Sequence, residues 1–351
     1  MKKVLTVLGI VLGVLVLLLA TLILFLSVTE FRPADREAAA VCRPEGVTMA
    51  DPAQPLTIYS WNTGYGGLGA ESDFFMDGGK MVDPPSQDAV TENLTAIRDY
   101  IASQEADAWL LQEVDVNSAR TGGIDQFDFY THAQSGSETF AYNYKCPFVP
   151  IPVPPMGKIA SGIATLTPHC IGDDAERVSL PCPFSWPVRV AQIKRCLLTT
   201  RLPLEGSDKE LVLVNLHLEA YDSGEGKIAQ FQKLLEVLQE EYNKGNYVVA
   251  GGDFNQSFPG VLEQYPIADP EQWMPGILEE DALQDGWQYA FDAAAPTCRL
   301  LDKPYDGTNQ RYVIDGFIVS PNIQVEAVET VDLAFEHSDH NPVRLVFSLI
   351  L

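Results

Sequence analysis

Several things are scarce in this chain, and each shortage narrows the reading. No two of the six cysteines form a C-x-x-C pair, which speaks against a structural zinc site. Basic residues are few: 23 Lys and Arg face 48 Asp and Glu. All 48 acidic residues but only 21 of the basic ones lie beyond residue 28, so that part carries −27. Proteins that hold long nucleic acid usually present a basic face, because phosphate neutralisation supplies most non-specific affinity. Long nucleic acid is therefore disfavoured as the main substrate. It is not excluded, since a metal-loaded cleft can be locally positive. No internal repeat recurs at solenoid periods.

Long apolar runs are also scarce, with one exception. Val4 to Val28 carries no charge and is nearly all Leu, Val, Ile, Ala and Gly. A helix of about 25 such residues crosses a hydrocarbon core. Lys2 and Lys3 precede it, and Glu30, Asp35 and Glu37 follow. The positive-inside rule then leaves the N-terminus cytoplasmic and the remainder extracytoplasmic. A cleaved signal peptide is the competing reading, but the run is long and Leu26–Glu30 is a poor cleavage site. The expectation is a single-pass anchor over residues 1–28 in a cell membrane. A polar, proline-containing linker over 29–54 follows, then a catalytic domain over 55–351. An even cysteine count in an exported domain suggests disulfides. Cys170, Cys182 and Cys196 cluster, so one bridge is expected there.

From Pro55 onward, short strands and helices alternate. Leu56–Trp61, Ala108–Gln112, Glu210–Leu218, Tyr247–Ala250, Arg311–Val319 and Val343–Leu349 read as strands. Val90, Leu94, Ile97 and Ile101 mark one helix. Ile228, Phe231, Leu235, Leu238 and Tyr242 mark another, ending at Gly245. Residues 147–155 hold five prolines and read as a rim loop.

Six polar segments close or follow these apolar runs in a fixed order. They are Trp61-Asn62, Gln112-Glu113-Val114-Asp115, Asn215-Leu216-His217, Gly252-Asp253-Phe254-Asn255, Ile314-Asp315-Gly316 and Ser338-Asp339-His340. Each alone has an ordinary reading: a turn residue, a strand-end carboxylate, a core histidine, an Asx turn. Asp315 resists this, since an apolar run surrounds it and a buried carboxylate needs a partner. Several hard oxygen ligands with two imidazoles suit a magnesium-type cation and a phosphate ester.

Taken together, the segments resemble the motif set of the endonuclease/exonuclease/phosphatase superfamily, over roughly residues 55–351. That superfamily includes deoxyribonucleases, inositol polyphosphate phosphatases and bacterial sphingomyelinases, and this chain looks like a membrane-anchored, bacterial-type member. The resemblance implies an α/β fold: a four-layer α/β/β/α sandwich with two mainly antiparallel sheets face to face. It implies Mg²⁺ (or Mn²⁺) held by Glu113, with Asn62 and Asp339 in or near the metal shell. It implies that Asp253 orients or deprotonates water and that Asn255 and His217 hold phosphate oxygens. His340, paired with Asp315, would bind or protonate the phosphate or act as base. Arg120 and Arg299 are candidates for gripping substrate phosphate through a planar fork. Tyr142 and Asn143 are candidates for lining the cleft.

The expected function is an exported, membrane-anchored, Mg²⁺-dependent phosphoesterase. Its substrate would be a small phosphoester, a phospholipid headgroup or an inositol-type phosphate. The alternatives are an extracellular nuclease and, in another class, a catalytically silent binding module on the same fold. No protein partner is implied. A lipid-headgroup reading calls for an exposed aromatic near the membrane, and Trp273 is the candidate.

Overall fold

Leu56, Ile58, Ala108 and Leu110 share one face of two neighbouring strands, and Tyr59, Trp61, Trp109 and Leu111 share the other. Both faces are apolar, so both must be covered. A computed structural model describes residues 2–351 and shows what covers them. The first face meets Leu211, Leu213, Tyr247, Val249 and Phe317 of a facing sheet. The second lies under the helix Gln87–Ser103, against Val90, Leu94, Ile97 and Ile101. Ser86 caps that helix by accepting from the Ala89 N–H at 3.0 Å.

The two sheets have seven strands each. In spatial order one runs Arg36–Ala38, Glu176–Ser179, Cys196–Pro203, Glu210–His217, Tyr247–Asp253, Asp315–Val319, Gln288–Ala290. The other runs Ile323–Thr330, Val343–Leu349, Leu56–Asn62, Ala108–Asp115, Gly157–Thr167, Ser137–Val149, Val41–Cys42. Only two neighbouring pairs are parallel: Leu56–Asn62 with Ala108–Asp115, and Glu210–His217 with Tyr247–Asp253. The helix Glu225–Asn243 covers the outside of the first sheet. The result is the four-layer sandwich with mainly antiparallel sheets.

Four details depart from expectation. The buried stripe of the Glu225–Asn243 helix is Phe231, Leu234, Val237 and Leu238, while Ile228 is 59% exposed. Segment 29–54 is more than a linker. Arg36–Ala38 pairs with Glu176–Ser179, and Val41–Cys42 with Ser137–Val149, adding an edge strand to each sheet. No cysteine is bridged: all six are separate thiols. Cys146, Cys196 and Cys298 are buried in three different apolar clusters, which keeps them apart. Trp273 donates its indole N–H to the Ala220 carbonyl at 2.9 Å and packs edge-on against Tyr312, so it is a wall residue and not an exposed one.

The helix Lys2–Val28 is long and apolar enough to cross a membrane, with mean hydropathy 3.1 over its best window. A signal sequence at an N-terminus passes the same test.

Candidate active site

The inward face of each central strand repeats every second residue. Leu56, Ile58 and Ser60 lead to Asn62, and Leu211 and Leu213 lead to Asn215 and His217. Tyr247, Val249 and Gly251 lead to Asp253, and on the antiparallel neighbour Asp315 leads to Phe317 and Val319. Register aligns them. Asp253 pairs with His217 on one side and Asp315 on the other. The apolar layer between the sheets therefore ends, at one edge, in a set of polar side chains. Gly252 is required there, because a Cβ would stand 1.9 Å from the Leu216 carbonyl oxygen.

Glu113 breaks the period. In a regular strand it would follow Trp109 and Leu111 to the outer, helix-covered face. A bulge between Leu111 and Val114, with Glu113 at φ +55°, turns it toward the cleft instead. A glutamate held in left-handed backbone costs energy, a feature that clusters at functional sites. The Asn62 amide donates to Glu113 Oε1 and to Asp253 Oδ2, both at 3.1 Å. Gln112 is buried and donates to Asn215 Oδ1 at 2.8 Å, linking the two sheets.

The loop before Val343–Leu349 brings the remaining groups. Ser338 Oγ donates to the Asn62 carbonyl at 2.9 Å, and the Trp61 indole N–H to the His340 carbonyl at 2.9 Å. His340 Nδ1 lies 2.8 Å from Asp315 Oδ2. Its Nε2 lies 3.8 Å from Asp253 and 3.9 Å from Asp339. Gly64, at φ +52°, lets the Asp339 carboxylate come within 2.8 Å of where a Cβ would stand.

Burial and neighbouring charges set the protonation of this group. Burial lowers the His340 imidazole, but the charges of Asp315, Cys298 and Asp339 and the Asp315 hydrogen bond together outweigh it, and the ring is held well above its ordinary value. Burial pulls His217 well below its ordinary value, with Arg195 and His340 adding to the effect. Burial and then Asp315 push Asp253 up to about 7, partly offset by His340. Asp339 rises to about 7 by burial, offset by His340 and raised further by Glu113.

Glu113, His217, Asp253, Asp339 and His340 line one end of a cavity of about 300 Å³, while Asn62 and Asp315 are outside the lining and bonded to residues in it. Asn255 lines it too, at φ +51°, with its amide donating to the Leu218 carbonyl at 2.8 Å. Asn143 is in the lining and Tyr142 is not. Both arginines reach the cavity wall but are engaged elsewhere. Arg120 grips Asp115 with two bonds of 3.0 and 2.9 Å and stacks on Tyr65. Arg299 donates to the Gly69 carbonyl at 2.7 Å, and more weakly to those of Leu68 and Ser72. The sequence reading missed Asp77 and Tyr221, which meet across the cavity at 3.0 Å. Neither continues a strand period, so no local pattern marks them. Burial pushes Asp77 up to about 6, and the Tyr221 bond partly offsets it.

The donor set fits a hard divalent cation. Glu113, Asp253 and Asp339 crowd one cavity, and burial raises the proton affinities of the two aspartates, a cost that a bound cation would offset. Asp253, Asp315 and His340 form a second grouping, with one ligand atom from each within 4.8 Å of the others.

The model of the endonuclease/exonuclease/phosphatase family matches residues 59–340, a stretch that contains every motif described above. The chain belongs to this family. Endonuclease/exonuclease/phosphatase enzymes are generally phosphoester hydrolases that depend on a divalent metal. No curated protein matches the chain. Solved structures share its fold at low identity. An endonuclease/exonuclease/phosphatase protein of Beutenbergia cavernae aligns at TM-score 0.56 and 17% identity, over 84% of this chain and 72% of that one. Truncated TDP2 of Caenorhabditis elegans aligns at 0.51 and 17%, over 84% and 98%. ANGEL2, described as a 2′,3′-cyclic phosphatase, aligns at 0.54 and 14%, over 90% and 99%.

Proposed function

We propose that this protein is a membrane-anchored, Mg²⁺-dependent phosphoesterase facing the outside of the cell. The observation that carries the reading is the convergence of Glu113, Asp253, Asp339 and His340 in one cleft, with Asn62 and Asp315 hydrogen-bonded to them. Glu113, with Asn62 and Asp339, would hold the metal, and Mg²⁺ there supplies charge neutralisation at the phosphate oxygens. Hydrolysis builds charge on those oxygens and on the leaving oxygen. Asp315 holds His340 by Nδ1 and favours its protonated form, so Nε2 serves as a donor toward phosphate. An imidazolium is a poor base. Asp253, 3.8 Å from that Nε2, is the better group to orient and deprotonate the attacking water. Neutral His217 and the Asn255 side chain would bind other phosphate oxygens.

An extracellular nuclease would use the same centre. The balance of 48 acidic against 23 basic residues counts against it. The N-terminal helix supports anchoring with the N-terminus inside. The test is a hydrolysis panel: a model diester, a model monoester, lipid and inositol phosphates, and plasmid DNA, each with Mg²⁺ and with excess chelator. Metal-dependent cleavage of small esters or headgroups is expected, with DNA cut slowly or not at all. Full activity in chelator would sink the reading. Preferential cleavage of DNA would favour the nuclease, and no cleavage of any ester the binding module.

A further inference from the structure

The end of the Lys2–Val28 helix is docked on the globular part. Leu26 is 4% exposed and, with Leu22, packs into a cluster with Cys146, Val149, Met156 and Val190. Trp186 Nε1 donates to Ser27 Oγ at 3.0 Å. Just beyond the helix, Glu30 is met by Arg189 at 3.0 Å and Lys194 at 3.4 Å. Apolar packing and charge pairing together fix the direction in which the helix leaves.

Two loops flank that docking point. One is the hairpin tip at residues 150–156, where Ile151 is 71% and Val153 93% exposed. The other carries Trp186, 59% exposed, and Val188, 55% exposed. Large apolar side chains grouped in water mark an interaction surface. A tryptophan beside the point where an apolar helix ends is placed like the aromatic belt of membrane proteins.

This surface adjoins the reaction site. Tyr144 and Met156 pack in the helix-docking cluster and also line the catalytic cavity. Phe184 and Ile193, on either side of the Trp186 segment, line it too. The helix exit and the cleft wall are thus one side chain apart.

We propose that residues 150–155 and 186–188 rest in the interface of the bilayer that holds the helix, and that the cleft, so placed, takes a phosphate ester borne on a lipid of that leaflet. The occupant of the patch is the bilayer, because the patch is continuous with a membrane-length helix packed against it. The substrate class rests on the phosphoesterase reading. Water is the only co-reactant needed. Its oxygen bonds to phosphorus, one P–O ester bond breaks, and a water proton ends on the leaving oxygen.

Two measurements on the full-length protein in vesicles test this. Vesicles of phosphatidylcholine with phosphatidylglycerol or phosphatidic acid offer a lipid diester and a lipid monoester. In the first measurement, lipids brominated high on the acyl chain should quench tryptophan fluorescence, and Trp186→Phe should remove most of that quenching. Trp186 is the one exposed tryptophan of five. Absence of quenching would leave the patch to a protein partner and overturn the docking. In the second, Ile151→Ser, Val153→Ser and Trp186→Ser combined should slow release of headgroup or phosphate about ten-fold. Cleavage of soluble bis(p-nitrophenyl) phosphate should stay within about two-fold, as the loss of a few buried apolar side chains at the bilayer suggests. Equal losses on both substrates, or no lipid cleavage by protein that cleaves the soluble ester, would overturn the lipid substrate. Failure of the phosphoesterase reading looks different: no ester is cleaved with Mg²⁺, while quenching persists.

Discussion

The floor of the cleft is made of strand ends, and its rim of loops and one hairpin. On the floor, Asn62, His217, Asp253 and Asp315 each extend a two-residue period already set by apolar residues below them. Ladder hydrogen bonds on both sides hold Asp253 in register with His217 and Asp315. On the rim, Asp77, Tyr144, Met156, Phe184, Tyr221 and Trp273 come from five separate parts of the chain, Tyr144 and Met156 sharing one hairpin, and outside that hairpin they meet through side-chain contacts. The floor is rigid and suits the reacting atoms. The rim can change without moving the floor, and it is where one fold adapts to different substrates.

That contrast can be broken most sharply at the Asp315–His340 pair. Asp315→Asn and His340→Ala should each lower kcat by about 10³–10⁴-fold, and the double variant should be little worse than the worse single. Strictly multiplicative losses would mean that the two residues act apart. Next in size is Arg120. Its guanidinium is spent on buried Asp115, so Arg120→Met should cost roughly 3–5 kcal/mol of stability, the effect of stranding a buried charge. A thermal melt measures this. A variant with unchanged stability but a raised KM would make Arg120 a substrate residue after all. Glu113→Gln should reduce kcat by about 10²-fold and raise the Mg²⁺ needed for half-maximal rate. An unchanged metal titration would remove Glu113 from the metal shell.

The smallest effect belongs to the rim, at Asp77. Its carboxyl titrates at about 6 in the folded protein against an ordinary 3.8. Between these values the folded state binds more protons than the unfolded one, so stability falls as pH rises through that window. The penalty is absent below the lower value and complete above the upper, at no more than about 3 kcal/mol. Asp77→Asn should therefore gain about 1–2 kcal/mol relative to wild type on going from about pH 4 to about pH 7.5. Urea unfolding at both pH values checks this. A constant difference between the two proteins would show that Asp77 is not held protonated by burial.

Much of the fold was legible because its signals are local. The Gln87–Ser103 helix declares itself by its stripe, and the strands by their apolar runs. The misread parts are those where local and tertiary preferences diverge. Ile228 fits a helical stripe by spacing but faces solvent, because Leu234 and Val237 fill the sheet-facing side. Segment 29–54 is polar and short of pattern, yet each sheet had an open edge that its backbone could pair. The cysteines were even in number, but evenness carries no distance.

The sequence by itself determined which residues can do chemistry and which strands deliver them, because side-chain direction follows from residue parity. It also determined the membrane-length helix, by length and hydropathy alone. Only the tertiary structure decided that Glu113 faces the cleft, since a bulge overrules its parity. Only the tertiary structure spent Arg120 on Asp115 and Arg299 on backbone carbonyls. It also set Trp186 rather than Trp273 beside the end of the helix. These outcomes depend on which distant segments meet, and no local period encodes that.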